Sequence, residues 1–237
     1  LTCPEFSGRL RSGRGPRATN YVWRNSTALR GRAQLAQDSA QSQFELSPFC
    51  LRGDEAELCL DQLLRYADNK LQPTAAHAQG IPLRWARPWL PDDFNLINDA
   101  RVSAQAQLKS LAPLSAQASA QIPQTRWRWH TATTTETAEI NAIRLDTTLD
   151  EQRAQFVTSA ESPTIGRVAA RLAVNDPRNK RELDGRIDIA QLQLAGLAWA
   201  FQGLDAISGE INGSVNIVGT AAAPQLRGQL LLKDGTA

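Results

Sequence analysis

Two histidines, His77 and His130, are the only imidazoles in 237 residues, and neither sits in a spacing that recruits a metal. His130 ends the run Arg126-Trp127-Arg128-Trp129, whose alternation sets it on the wet face of a strand. There is no phosphate-cradling glycine loop, dinucleotide fingerprint or serine elbow. The carboxylates are scattered over polar positions, and no pair is singled out for glycoside hydrolysis. Trp127 and Trp129 lie between arginines, a pattern that can stack nucleic-acid bases, but two tryptophans on one strand face fit core or groove lining better. The residue types therefore predict no enzyme, no cofactor and no metal ligand set.

Charge points the same way. With 26 Lys+Arg against 24 Asp+Glu, a formal net of +2, composition offers nucleic acid no strongly basic face. Arg9, Arg11, Arg14 and Arg17 near the start read as a solvated strand and loop. No apolar run reaches the roughly 18 residues that a membrane-spanning helix needs. The chain has no signal peptide and no methionine, so it is expected to be a segment of something longer. The sequons Asn25-Ser26-Thr27 and Asn212-Gly213-Ser214 match the glycosylation acceptor pattern, which means little if the source is bacterial. Of three cysteines, Cys50 and Cys59 flank the polar stretch Arg52-Gly53-Asp54-Glu55, which reads as a turn between two extended pieces. That placement favours a disulfide across a hairpin over two buried free thiols, leaving Cys3 as the odd one.

What must position any site is β-structure, because period-two alternation recurs along the whole chain. Val102, Ala104, Ala106 and Leu108 alternate with polar residues, as do Ile143, Leu145, Thr147 and Leu149, then Val168, Ala170, Leu172 and Val174. Leu183, Gly185, Ile187 and Ile189 oppose Asp184, Arg186 and Asp188; Ile211, Gly213, Val215 and Ile217 oppose Glu210, Asn212, Ser214 and Asn216. Each run describes a strand with one apolar and one wet face, the signature of antiparallel sheet. Between Ile189 and Leu192 the parity flips, which one extra residue, a β-bulge near Ala190, explains. Asn175-Asp176-Pro177, Ser208-Gly209, Ala223-Pro224 and Lys233-Asp234-Gly235 read as turns. Helix is scarce: Ile81–Leu90 fits a short cap near 81–91, with Pro82 in its first turn and Trp85 and Trp89 packing it onto one end of the sheet. Residues 55–71 fit helix or strand equally.

An apolar sheet face must be covered, and too few helices exist to do it. Many inward positions are small (Ala104, Ala106, Ala118, Ala120, Ala170, Gly185, Gly213), so adjacent strands are expected to leave a trough; the competing reading is a structural or adhesive β-sandwich with a filled core. The expected lining is Ile143, Leu145, Leu172, Val174, Ile187, Ile189, Leu192, Leu194, Trp199, Ile211, Val215, Ile217, Leu230 and Leu232. An outer-membrane barrel alternates in the same way, but aromatics at 6% are too few for its girdles.

Leu183–Gly235 carries Ser208-Gly209-Glu210, Gly219-Thr220 and Ala223-Pro224-Gln225 running into Leu226, Gly228, Leu230 and Leu232. This stretch resembles the repeating signature of the TamB family of the translocation and assembly module, and it is similar to other AsmA-like proteins. Leu46–Leu60 with its two cysteines and the Pro-rich IPLRWARPWLP look like that family as well, so the resemblance covers most of residues 29–237. It implies an all-β, long, antiparallel, twisted, taco-like half-pipe with an open groove, one continuous segment over 1–237. It further implies a parent anchored in the inner membrane of a Gram-negative cell, with this piece in the periplasm. The implied cargo is phospholipid or unfolded outer-membrane protein, and the implied partner is the outer-membrane subunit TamA, whose contact the family assigns to its extreme C-terminus.

Overall fold

The computed structural model describes residues 2–12, 19–34, 42–53, 55–68, 70–89, 94–130, 135–195 and 208–236. Alternation becomes strand nearly everywhere it was legible. The first strands are β1 (Thr2–Cys3), β2 (Ser7–Ser12), β3 (Thr19–Asn25), β4 (Leu29–Gln34), β5 (Gln43–Leu46), β6 (Phe49–Arg52), β7 (Glu57–Leu60), β8 (Leu64–Ala67), β9 (Lys70–Leu71) and β10 (Thr74–Pro82). After a 3-10 helix at Leu83–Trp89 come β11 (Phe94–Leu96), β12 (Arg101–Leu111), β13 (Leu114–Ile122), β14 (Thr125–His130), β15 (Thr135–Ile140) and β16 (Ala142–Asp150). The last strands are β17 (Arg153–Ser162), β18 (Gly166–Asn175), β19 (Glu182–Gln193), β20 (Ser208–Thr220) and β21 (Ala223–Thr236). The fold is all-β, and the strand pairings along it are antiparallel.

The chain divides into two compact units. The first comprises Leu1–Trp89, Arg101–Ala120 and Thr148–Glu151. It holds a five-stranded sheet in the order β1-β4-β5-β8-β9 and a longer run in the order β2-β3-β6-β7-β10-β12-β13. The second comprises Leu90–Ala100, Gln121–Thr147 and Gln152–Ala237. It holds the three-stranded sheet β11-β14-β15 and the run β16-β17-β18-β19-β20-β21, in which β21 pairs with β20 alone among the described residues.

Several local readings resolve or change. Residues 57–60, 64–67 and 70–71 are strands, because β7 pairs with β6 and β10 while β8 pairs with β5. The helical candidate at Ile81–Leu90 becomes strand through Pro82, which is fully buried, and then the 3-10 helix. Trp85 meets Trp23 edge to face with ring centroids 5.7 Å apart. The bulge lies at Gln191, with φ 52°, where the register shifts between Ile189 and Leu192. Its N–H donates to Asn212 Oδ1 at 2.7 Å.

Asp176 makes the expected turn. Its carboxylate accepts from Asn179 Nδ2 at 2.8 Å and from the Lys180 N–H, and these bonds hold its pKa below the ordinary carboxylate value. By contrast, Ser208-Gly209 and Lys233-Asp234-Gly235 are not turns but lie in β20 and β21. A second register shift between Ser208 and Glu210 absorbs their irregular backbone, with Gly209 at φ 119° and Asp234 at φ 52°. At the other end of this hairpin Ala223-Pro224 already pairs with Thr220 and Gly219, so the reversal falls one step earlier.

Candidate functional site

Directly opposed residues of an antiparallel pair share a face, so the registers assign the two sides of β17–β21 without ambiguity. Five rows cross the sheet. Ala154, Val174, Leu183, Gly219 and Pro224 form the first, and Phe156, Leu172, Gly185, Ile217 and Leu226 the second. Thr158, Ala170, Ile187, Val215 and Gly228 form the third; Ala160, Val168, Ile189, Gly213 and Leu230 the fourth. Beyond the bulge, Leu192, Ile211 and Leu232 carry on as the fifth. With about 4.8 Å between strands, the face is roughly 19 Å across its five strands.

The opposite face is polar and ion-paired. Arg186 Nε meets Asp188 Oδ1 at 2.7 Å, Arg167 meets Glu161 at 3.2 Å, and Arg153 lies 3.9 Å from Asp184. All these groups are exposed, so the pairs add little stability and serve mainly to keep this side in water.

Much of the apolar face keeps partial exposure among the described residues, while Ala154 and Leu192 are buried. Leu172, Ile187, Ile189, Val215 and Ile217 are only half-buried, and Phe156 is 38% exposed. At the edge strand Leu226 is 70% exposed and Leu230 and Leu232 are 53%. The largest fully buried side chains among the described residues are Thr125 and Pro82, not leucine, isoleucine or phenylalanine. Gly185 shows how tightly the row is nonetheless built. A Cβ there would lie 2.9 Å from Leu172 Cδ1 and 3.0 Å from the Arg171 carbonyl oxygen, so Leu172 leans into the space that the glycine leaves.

Unit one carries a similar face of smaller residues. Phe49 and Leu51 of β6 oppose Leu60 and Leu58 of β7, which oppose Ala76 and Ala78 of β10, which in turn oppose Ala106 and Ala104 of β12. Leu58 is 44% exposed. The hydrogen bond from Gln117 Nε2 to Gln107 Oε1 ties the polar side of β13 to that of β12, leaving Ala116, Ala118 and Ala120 on the apolar side. The polar side bears Cys50 opposite Cys59, joined as a disulfide, and His77 opposite Cys59.

Of the residues expected to line a groove, Leu172, Val174, Ile187, Ile189, Leu192, Ile211, Val215, Ile217, Leu230 and Leu232 come together on the face of β17–β21. Ile143 and Leu145 share one side of β16, half-buried and exposed respectively. Leu194 is buried just past the end of β19. Trp199 lies outside the described residues. Phe156 escaped notice, because its strand, RAQFVTSAES, alternates a mixed set (Ala154, Phe156, Thr158, Ala160) with no strong apolar contrast. Trp127 is buried, but in the three-stranded sheet, opposite Leu96 and Ala138. Behind it Glu139 bonds Arg126 and Gln124, which lowers its pKa from the ordinary carboxylate value.

Cys50, Glu57 and Cys59 are the metal-ligating types that cluster among the described residues. Both sulfurs are spent in the disulfide, and Arg52 Nε holds the Glu57 carboxylate at 2.8 Å, so no donor set remains. No helix among the described residues is long and apolar enough to cross a membrane.

A family model described as the TamB N-terminal domain matches residues 21–232. Comparison with curated proteins and with solved structures returns no match.

Proposed function

The chain belongs to the TamB family, and on that premise we propose that its apolar sheet faces shield cargo with hydrophobic parts on its way between inner and outer membranes. The family acts in the translocation and assembly module, in outer-membrane biogenesis. The setting under this reading is the periplasm, with the parent protein anchored in the inner membrane and TamA as its outer-membrane partner. One observation carries the proposal: in-register, largely apolar rows in which Leu172, Ile187, Ile189, Val215 and Ile217 stay half-exposed while the other side of the same strands carries exposed ion pairs.

The chemistry of a sheet face favours acyl chains over extended polypeptide as the primary guest. The face presents methyl and methylene groups, while its N–H and C=O groups are engaged in the ladder. An acyl chain asks for nothing else and gains about 0.8 kcal/mol for each methylene it buries. A bare polypeptide strand laid on the same surface would bring an unpaired N–H and C=O per residue, each costly to desolvate. Outer-membrane protein strands fit the reading through their apolar side chains only. A filled sandwich core is the weaker alternative, since it would bury most of its large aliphatic side chains, whereas on this face Leu192 is buried and Leu172, Ile187, Ile189, Val215 and Ile217 are not.

The test is a lipid-sensitive native mass spectrum of the purified chain. The reading expects bound phospholipid, released by charge-bearing variants of the central rows. A protein that stays lipid-free after exposure to phospholipid vesicles overturns it.

A further inference from the structure

We propose that the Cys50–Cys59 disulfide is a thiol–disulfide exchange site that a dithiol reduces in the folded protein, with Cys50 the sulfur attacked. The two cysteines face each other across β6 and β7, with Cα atoms 4.1 Å apart, on the polar side of the strands. Cys59 is 3% exposed whereas Cys50 is half-buried, so an incoming thiolate has access to Cys50 and not to its partner. The leaving sulfur is therefore Cys59. Directly across from it in β10 stands His77, so the imidazole and the buried cysteine share one face of neighbouring strands. His77 Nδ1 lies 2.6 Å from Asp61 Oδ1, so a carboxylate orients the ring. On the other side the Glu57 carboxylate sits within 4.8 Å of both sulfurs, and Arg52 neutralises it.

The exchange runs in two displacements. A thiolate of the dithiol attacks Cys50 Sγ, a new S–S bond forms there, and the Cys50–Cys59 bond breaks with its electron pair on Cys59, which takes a proton from His77. The second thiol of the reductant, losing its proton, then attacks its own sulfur in the mixed disulfide, closes the reductant's disulfide and releases Cys50 as a thiolate that takes a proton. Two electrons and two protons pass from the dithiol to the cysteine pair. Stabilising the leaving thiolate speeds such a displacement. The closed loop is short, and β6 and β7 keep their other neighbours, β3 and β10, so the reduced hairpin has a folded partner on each side.

The experiment uses the 237-residue chain, dithiothreitol without denaturant, and acid-quenched alkylation read by mass spectrometry. Native reduction is expected, and His77→Gln is expected to slow it about tenfold with an unchanged melting temperature. Asp61→Asn serves as the second variant, slower in the same direction by about threefold. A monothiol, glutathione, is expected to be trapped on Cys50. Reduction that requires unfolding, rates equal to the parent's in both variants, or an adduct on Cys59 overturns the proposal.

Discussion

Ile187 stands in the third row between Ala170 and Val215, half-buried, two strands in from the free edge. Replacing it with aspartate puts a carboxylate where the proposal places acyl chain. Complete burial of isoleucine is worth about 1.5–3 kcal/mol, so losing a half-buried one costs roughly 1 kcal/mol. On an open face the new carboxylate stays hydrated, and the total comes to about 1–2 kcal/mol, a fall in melting temperature of roughly 2–8 °C for a chain of this size. The guest suffers more. If the charge displaces about three methylenes from the face, binding loses about 2.4 kcal/mol, or roughly fifty-fold in affinity. The assay pairs thermal unfolding with titration of a pyrene-labelled phospholipid, using Ile187→Leu as the volume-conserving control. An open face predicts a small stability loss and a large affinity loss. Should Ile187→Asp instead lose more than about 4 kcal/mol or fail to fold, the rows are a sealed core and the cargo reading is wrong.

Three further outcomes follow from the structure. Removing the disulfide with Cys50→Ala and Cys59→Ala together is expected to lower unfolding free energy by about 2.7 kcal/mol, the chain-entropy value for a loop of some ten residues; a denaturant titration that shows no change refutes the constraint. Gly166→Ala is expected to cost about 3 kcal/mol or more, seen as a lower melting temperature, because Gly166 has φ 111° and its Cβ would fall 2.3 Å from the Gln191 carbonyl oxygen at the bulge. The Asp176 carboxylate has its folded pKa depressed, so its stabilising contribution is full above the ordinary carboxylate range and is lost as pH falls through the lowered value. Asn179→Ala removes the side-chain hydrogen bond that lowers it most and is expected to move the Asp176 titration upward in carboxyl-carbon NMR; an unmoved curve refutes the assignment.

Strand and parity were legible because they are local: side chains alternate every residue, so the run around Ile187 declares its two faces, and the flip at Leu192 declares a bulge before any partner is known. Turns were less legible. Asp176 is a turn because its own carboxylate caps it. Gly209 and Asp234 have the same turn-prone chemistry yet sit inside paired strands, since a bulge and a turn draw on the same positive-φ residues. Residues 55–71 carry helical and strand spacing at once, and only the pairing of β7 with β6 and β10, and of β8 with β5, breaks the tie.

The sequence by itself determined an all-β chain with one greasy and one wet side per strand, a hairpin able to hold Cys50 against Cys59, and the family to which it belongs. It could not determine which apolar residues would stand in the same row, since register is a property of two strands and not of one. Nor could it say whether the rows are covered, because burial depends on what packs above a face, and alternation reads the same over a filled core as over open water. Tertiary structure decided the register, setting Leu172 beside Gly185 beside Ile217, and it leaves Leu172 and Ile217 half-buried around the buried glycine.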